Sequence, residues 1–530
     1  MLRTSRVLLA AGGTAVLLCL AIAQAAFGLE GPVRIESGLL DAGPPLASGV
    51  KAYRGIPYAA PPTGTARWRA PQPSAPWEGI RDASSFGAAC VQGPGQGYQN
   101  LTLVPGSPRL DEDCLYLNVW TGAASADEAR PVMVWIYGGA FTDGAGSIPL
   151  YDGETLARKG AVVVTLNYRL GAFGFLAHPA LSEESPHGSS GNYGVLDMLA
   201  ALRWVQDNIA AFGGDPGNVT VAGQSAGAMA LAALVASPRA EGLFQRVIAQ
   251  SGAWMGLGPN TMRSRSSAEA DGLRQAGRLG AVTSAELRAL DTRSVLENLR
   301  GAGLIVDGWA IPTEASQVFA DGRQLPVDVL VGSNSDEGAF MPAGPSAAEW
   351  RQQLQARWGA ATPLMEKFYP ANSAEQAMAS SRAAFRDGVS WHMRLFAAYQ
   401  ASLGAQAWVY YFDHDPPVTE GERDLDAVHS AELPYVFGNL AEQRLYPDSS
   451  SPQAASAAVA DQILAERVTT WWVNFARTGN PNGSGQPAWP PYRNMNGRAM
   501  LLNAAPSAET GVETAKWLRY NQLFERLLPQ

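Results

Sequence analysis

The sequence predicts an α/β protein: a central, mostly parallel sheet flanked by helices, with long helical insertions. Three observations carry that expectation. Val132-Met133-Val134-Trp135-Ile136 and Val162-Val163-Val164-Thr165-Leu166 are continuous apolar runs rather than alternating ones, as strands buried on both faces require. A helical period follows them, with Val195, Leu199, Leu202, Val205 and Ile209 on one face. A third strand, Asn218 to Gly223, then runs directly into Gln224-Ser225-Ala226-Gly227 and a helical stretch over 228–236. Strands alternating with helices signify a parallel sheet with crossover connections.

In chain order, the first segment has to be set apart. Arg3 and Arg6 precede an apolar stretch from Val7 to Ile22, and Ala23-Gln24-Ala25 offers a small-x-small cleavage pattern. Residues 1–25 therefore read as a secretory signal peptide, which leaves 26–530 as a single domain, secreted or periplasmic. An uncleaved anchor is the alternative. A lipoprotein reading through Cys19 is weaker, because Leu18 precedes it. No later run of about 18 apolar residues occurs, so no stable membrane insertion is expected after cleavage.

The mature part retains Cys90 and Cys114. Two cysteines in an exported chain suggest one disulfide, with a free pair as the alternative, and are too few for a structural zinc site. Lys and Arg number 39 against 48 Asp and Glu, and no basic run occurs, so no nucleic-acid partner is expected. No repeat of 20–50 residues and no low-complexity linker divides the chain. After the helix at 228–236, strands are expected at 246–250, 327–331 and 408–412, with mostly helical insertions over roughly 255–325 and 345–400.

The chemistry centres on Gly223-Gln224-Ser225-Ala226-Gly227. The Gly-x-Ser-x-Gly pattern alone is weak; between a strand and a helix it describes a nucleophile elbow, in which a sharp turn exposes a serine at the helix N-terminus. Glycine permits the turn, and the helix offers N–H groups and a positive dipole end to a developing oxyanion. The N–H of Ala226 is one candidate oxyanion donor. Gly138 and Gly139, just past the strand at 132–136, are the others. A base should be one of five histidines: His178, His187, His392, His414 or His429. The order nucleophile, acid, base favours His429, downstream of the last strand signal. The acid should follow the strand at 327–331, where Asp336 and Glu337 fit equally well by spacing.

The chain resembles the type B carboxylesterase/cholinesterase family of the α/β-hydrolase superfamily. The matching stretches are Arg54 to Pro62, Glu112 to Asn118, Tyr137-Gly138-Gly139-Ala140-Phe141, Asn167 to Gly171, Phe212 to Pro216 and the elbow. They continue through Gln250-Ser251-Gly252, Asp336-Glu337-Gly338 and Phe475 to Gly479, so the likeness runs from roughly residue 31 to 502. It implies a serine carboxylic-ester hydrolase with Ser225 as nucleophile, His429 as base and Glu337 as acid. It also implies Gly138, Gly139 and Ala226 as oxyanion donors, a Cys90–Cys114 disulfide, a small-molecule ester as partner, and no metal or organic cofactor.

Two positions depart from the family pattern: Tyr137 and Gln224 stand where many members carry His and Glu. The stretch between Cys90 and Cys114 contains no Trp, so cation–π capture of choline is not expected there. The expected substrate is a small to medium, uncharged or apolar ester. The alternatives are hydrolysis of an amide or carbamate, or a non-catalytic cholinesterase-like binding module, which would lack the nucleophile or the base. Trp254, Trp309, Phe340 and Tyr435 could line the pocket or the core. Nothing in the sequence sets an oligomeric state.

Overall fold

The computed structural model describes residues 29, 31–94, 108–252, 262–341, 344–418, 420–421, 424–442, 458–509 and 520–521. The segment 1–25, expected to be a signal peptide, Trp254 and much of the stretch between Cys90 and Cys114 lie outside them. Among the described residues a mixed sheet of ten strands dominates. In chain order its strands are β1 (Lys51–Pro57), β2 (Tyr116–Thr121), β3 (Arg130–Ile136), β4 (Val162–Leu166) and β5 (Gly214–Gln224). The others are β6 (Arg246–Gln250), β7 (Asp328–Asn334), β8 (Ala407–Phe412), β9 (Ala499–Leu502) and β10 (Ser507–Glu509).

The spatial order is β10-β9-β8-β7-β6-β5-β3-β4-β2-β1. Every pairing from β4 to β9 is parallel, and antiparallel strands close the sheet at both edges. The expected mostly parallel sheet is present, and its predicted strands start within a few residues of their observed positions. Strand β4 is buried throughout and β3 nearly so, as their continuous apolar runs require.

Helix α1 (Tyr193–Asn208) turns the face carrying Val195, Leu199, Leu202 and Val205 fully into the core. Four further helices matter below: α2 (Ala226–Val235), α3 (Ala374–Ser402), α4 (Leu433–Phe437) and α5 (Val459–Thr478). The expected helical insertions are present over 265–298 and 347–402. Two boundaries differ from expectation. Strand β5 begins at Gly214 rather than Asn218, because Gly214 already pairs with Arg130 and a bulge absorbs the residues before Val219. Helix α2 begins at Ala226 rather than Ala228, because the turn is completed within Ser225 itself.

Strand order reverses at β3, which has β4 on one side and β5 on the other. Open α/β sheets bind ligands outside the carboxyl ends of strands at such a switch point. The residues following β3 and β5 are the double glycine and the candidate nucleophile.

Candidate active site

Ser225 joins β5 to α2 with φ 54° and ψ −122°, a left-handed conformation that costs a non-glycine residue about 1–3 kcal/mol. Its N–H donates to Gln250 O at 2.8 Å, and its carbonyl accepts from Met229 N at 2.9 Å. Close backbone packing holds the turn. A Cβ on Gly227 would lie 2.1 Å from Ile136 O, one on Gly223 2.8 Å from the same oxygen, and one on Gly252 2.3 Å from Ser225 O. The glycines of the elbow thus let α2 sit against the end of β3, and Gly252 lets the chain after β6 back Ser225. Ser225 remains half-buried, at the N-terminus of an otherwise buried helix.

The double glycine meets this elbow. A Cβ on Gly138 would stand 3.0 Å from Ser225 Cβ and 2.7 Å from Gln224 Oε1. Gly139 (φ 111°), Ala140 (φ 52°) and Phe141 (φ 62°) are all left-handed, and Gly139 O accepts from Thr142 N and Asp143 N. A Cβ on Gly139 would lie 2.1 Å from Asp143 O, so this turn closes only around glycine. Asp143 is partly buried beneath it, and desolvation raises its carboxyl to about 6. Gly138 and Ala226 therefore flank Ser225, with Gly139 in the adjoining turn. The Tyr137 side chain is fully buried and stacks on Tyr168 at 4.6 Å between ring centroids, and Tyr168 Oη donates to Tyr137 O at 3.0 Å.

His429 lies in the loop between β8 and α4. Its Nδ1 is 2.5 Å from Glu337 Oε2, and Glu337 Oε1 accepts from Asn334 N at 2.9 Å. Glu337 is wholly buried. Its neighbour Asp336 faces elsewhere: its N–H donates to Ala427 O and its carboxylate accepts from Ser335 Oγ at 2.7 Å. Spacing left these acids tied; the side-chain directions separate them. Gln224 Nε2 lies 3.1 Å from His429 Nε2 and 3.0 Å from Ser430 Oγ.

Sequence reasoning missed the support behind this pair. Glu432 is buried; its oxygens accept from Gln250 Nε2 at 2.9 Å and Asn334 Nδ2 at 2.7 Å, and Trp472 Nε1 donates to Gln250 Oε1 at 3.2 Å. Burial raises the Glu432 carboxyl, and the charge of Glu337 raises it further, against its hydrogen bonds. Burial opposes charging of His429, but the charge and hydrogen bond of Glu337 and the charge of Glu432 outweigh it, so its pKa is raised. A signal existed: Glu432 is three residues past His429, and Gln250 opens a matched family stretch.

The remaining histidines occupy other places. His178 caps the helix Pro179–Glu184, His187 stacks on Trp309, and His414 pairs with Asp461 at 2.9 Å. His392 is buried in α3, where desolvation drives it down to about 3. Of the proposed pocket residues, Phe340 packs on His429 with ring centroids 5.7 Å apart, joined by Phe385 at 6.3 Å. Trp309 lies between His187 and Arg239, and Tyr435 is core, bonded to Asp461. Cys90 and Cys114 form a disulfide, with Cα atoms 4.9 Å apart.

The sequence profile of the family described as "Carboxylesterase family" matches residues 40–518. Among curated relatives, a fumonisin B1 esterase of Sphingopyxis macrogoltabida is 39% identical over 480 residues, covering 87% of this chain and 85% of that protein. A para-nitrobenzyl esterase of Bacillus subtilis (strain 168) is 37% identical over 486 residues, covering 88% and 94%. A cocaine esterase of Oryctolagus cuniculus is 34% identical over 515 residues, covering 91% and 92%. Among solved structures, a PNB esterase superposes with a TM-score of 0.77 at 32% identity, and a thermophilic PNB esterase with 0.79 at 33%. Each covers 94% of this chain and 99% of its own.

Proposed function

The chain belongs to the carboxylesterase family and is a carboxylic-ester hydrolase, and from that premise we propose that it works through an acyl-enzyme on Ser225, with His429 as base and Glu337 as its orienting acid. The observation that carries this reading is the 2.5 Å contact between His429 Nδ1 and the buried Glu337, beside the strained serine elbow. In the attack, Ser225 Oγ bonds to the ester carbonyl carbon and its proton passes to His429 Nε2. Glu337 stabilises the imidazolium. The N–H groups of Ala226, Gly138 and Gly139 stabilise the oxyanion, and the same imidazolium returns the proton to the departing alkoxide. Water repeats the steps on the acyl-enzyme and releases the acid.

The substrate in this reading is a small to medium, uncharged or apolar ester. Its support is the pair of uncharged rings, Phe340 and Phe385, against His429. The para-nitrobenzyl esterase among the relatives gives it precedent. Export to the periplasm or the medium is supported by the segment 1–25 and by the disulfide, which persists in oxidising compartments. A single catalytic domain over 26–530 is supported by a sheet that draws strands from Lys51 to Glu509. Organophosphate inactivation followed by peptide mapping tests the nucleophile. One equivalent should label the peptide carrying Ser225, and Ser225→Ala should lower kcat by at least about 10⁴-fold in a folded protein. Label on any other peptide overturns the assignment.

A further inference from the structure

Gln224 is buried immediately before the nucleophile, and its side-chain amide lies against the base. Its amide nitrogen lies 3.1 Å from His429 Nε2, the atom that must receive the proton of Ser225. On the far side of the ring, Nδ1 faces Glu337. A carboxylate only accepts, so the Nδ1 proton stays toward Glu337 and the neutral ring presents a lone pair at Nε2. An amide N–H complements that lone pair, whereas an amide oxygen there would repel it. The second amide hydrogen faces Ser430 Oγ at 3.0 Å.

We propose that Gln224 is a positioning residue for the hydrolytic site: its amide holds His429 in the neutral tautomer with Nε2 as acceptor, and so sets how far into acid the enzyme works. The inference rests on the triad reading above. It follows from what surrounds the ring. The loop after β7 brings Glu337, and the start of α4 brings Glu432, both acidic. Phe340 from that same loop and Phe385 from α3 are uncharged. Among these neighbours the acids favour the imidazolium, which is inactive as a base. The Gln224 amide bonds only the neutral ring, because a protonated Nε2 is itself a donor, and it therefore opposes them. When Ser225 delivers its proton, the amide gives up the lone pair and keeps its bond to Ser430.

A carboxylate at 224 reverses this contribution. In Gln224→Glu the new acid and the imidazole share a proton across Nε2, and the base is freed only when that proton is lost at higher pH. In Gln224→Met the donor disappears without added charge.

The test is the pH profile of kcat/KM on a p-nitrophenyl ester for wild type, Gln224→Met and Gln224→Glu. In parallel, the downfield proton resonance of the His429 Nδ1–H···Glu337 bond is titrated in each protein. Both readouts should place the acid limb in the order wild type, Met, Glu. The step should be a few tenths of a unit for Met and about one unit or more for Glu. A residue that merely fills space would lower rates without moving either titration. Limbs that superimpose in active variants refute the role of Gln224 and leave the triad standing; ester turnover undiminished by Ser225→Ala refutes the triad itself. Should the Glu variant not fold, wild type still decides. A nuclear Overhauser contact between the Gln224 side-chain amide protons and the His429 ring is expected, and its absence overturns the proposal.

Discussion

Replacing Glu337 by Gln removes one charge while keeping the shape of a wholly buried side chain. In the proposed transition state His429 becomes an imidazolium. Its charge and that of the carboxylate have centres about 4 Å apart, given the 2.5 Å contact between Nδ1 and Oε2. With an effective dielectric constant of about 20, that attraction is worth about 4 kcal/mol, or roughly 10³-fold in rate. The Gln amide can also donate to Nδ1 and impose the tautomer with Nε2–H, so the loss should reach about 10³–10⁴-fold in kcat. Asp336→Asn is the matched control, because that carboxylate accepts from Ser335 Oγ and has no bond to the imidazole; it should cost less than about 10-fold. The assay is initial-rate hydrolysis of p-nitrophenyl butyrate, with thermal melts confirming that both variants fold. A Glu337→Gln enzyme within tenfold of wild type, or a larger loss in Asp336→Asn, would refute the reasoning.

As the proposed base, His429 must be neutral to act, and the carboxylates around it raise its pKa. Activity should therefore fall as pH drops through a limb above the ordinary imidazole value of about 6.5, and His429→Ala should remove the limb together with the turnover, read from kcat/KM against pH. Gly252→Ala would bring a Cβ to 2.3 Å from the carbonyl oxygen of Ser225, so a folded variant should lose kcat by about tenfold or more while KM changes little. Cys90→Ser opens the disulfide with its sequence separation of 24, and denaturant titration should show about 3–4 kcal/mol less stability; unchanged stability counts against the bridge. Sequencing of exported protein should find an N-terminus near Ala26.

What the sequence made legible was whatever local chemistry dictates. The apolar runs at 132–136 and 162–166 read as doubly buried strands, and they are. The strand, glycine and helix signals around Ser225 specify a turn from neighbouring residues alone. Contacts between distant segments were not legible in this way. Asp336 and Glu337 are adjacent, and their separation depends on how the chain leaves β7, with Asp336 N bonding Ala427 O and turning Glu337 inward. Tyr137 could have faced the site; packing against Tyr168, 31 residues away, draws it into the core. The Trp472–Gln250–Glu432–Asn334 chain joins four segments whose proximity no periodicity encodes.

The order of strands across the sheet also bears on how activity arises during folding. Gly138 follows β3, Ser225 follows β5, Glu337 follows β7 and His429 follows β8, so nearly 300 residues must be in register before the reacting groups meet. Contacts of such long range close late, because their loop entropy is spent before they return any stabilisation. A refolding chain should regain helical signal well before it regains esterase activity. In the proposed mechanism a nascent chain that ends before β8 has the serine but no base, so it should stay chemically silent until synthesis has passed His429.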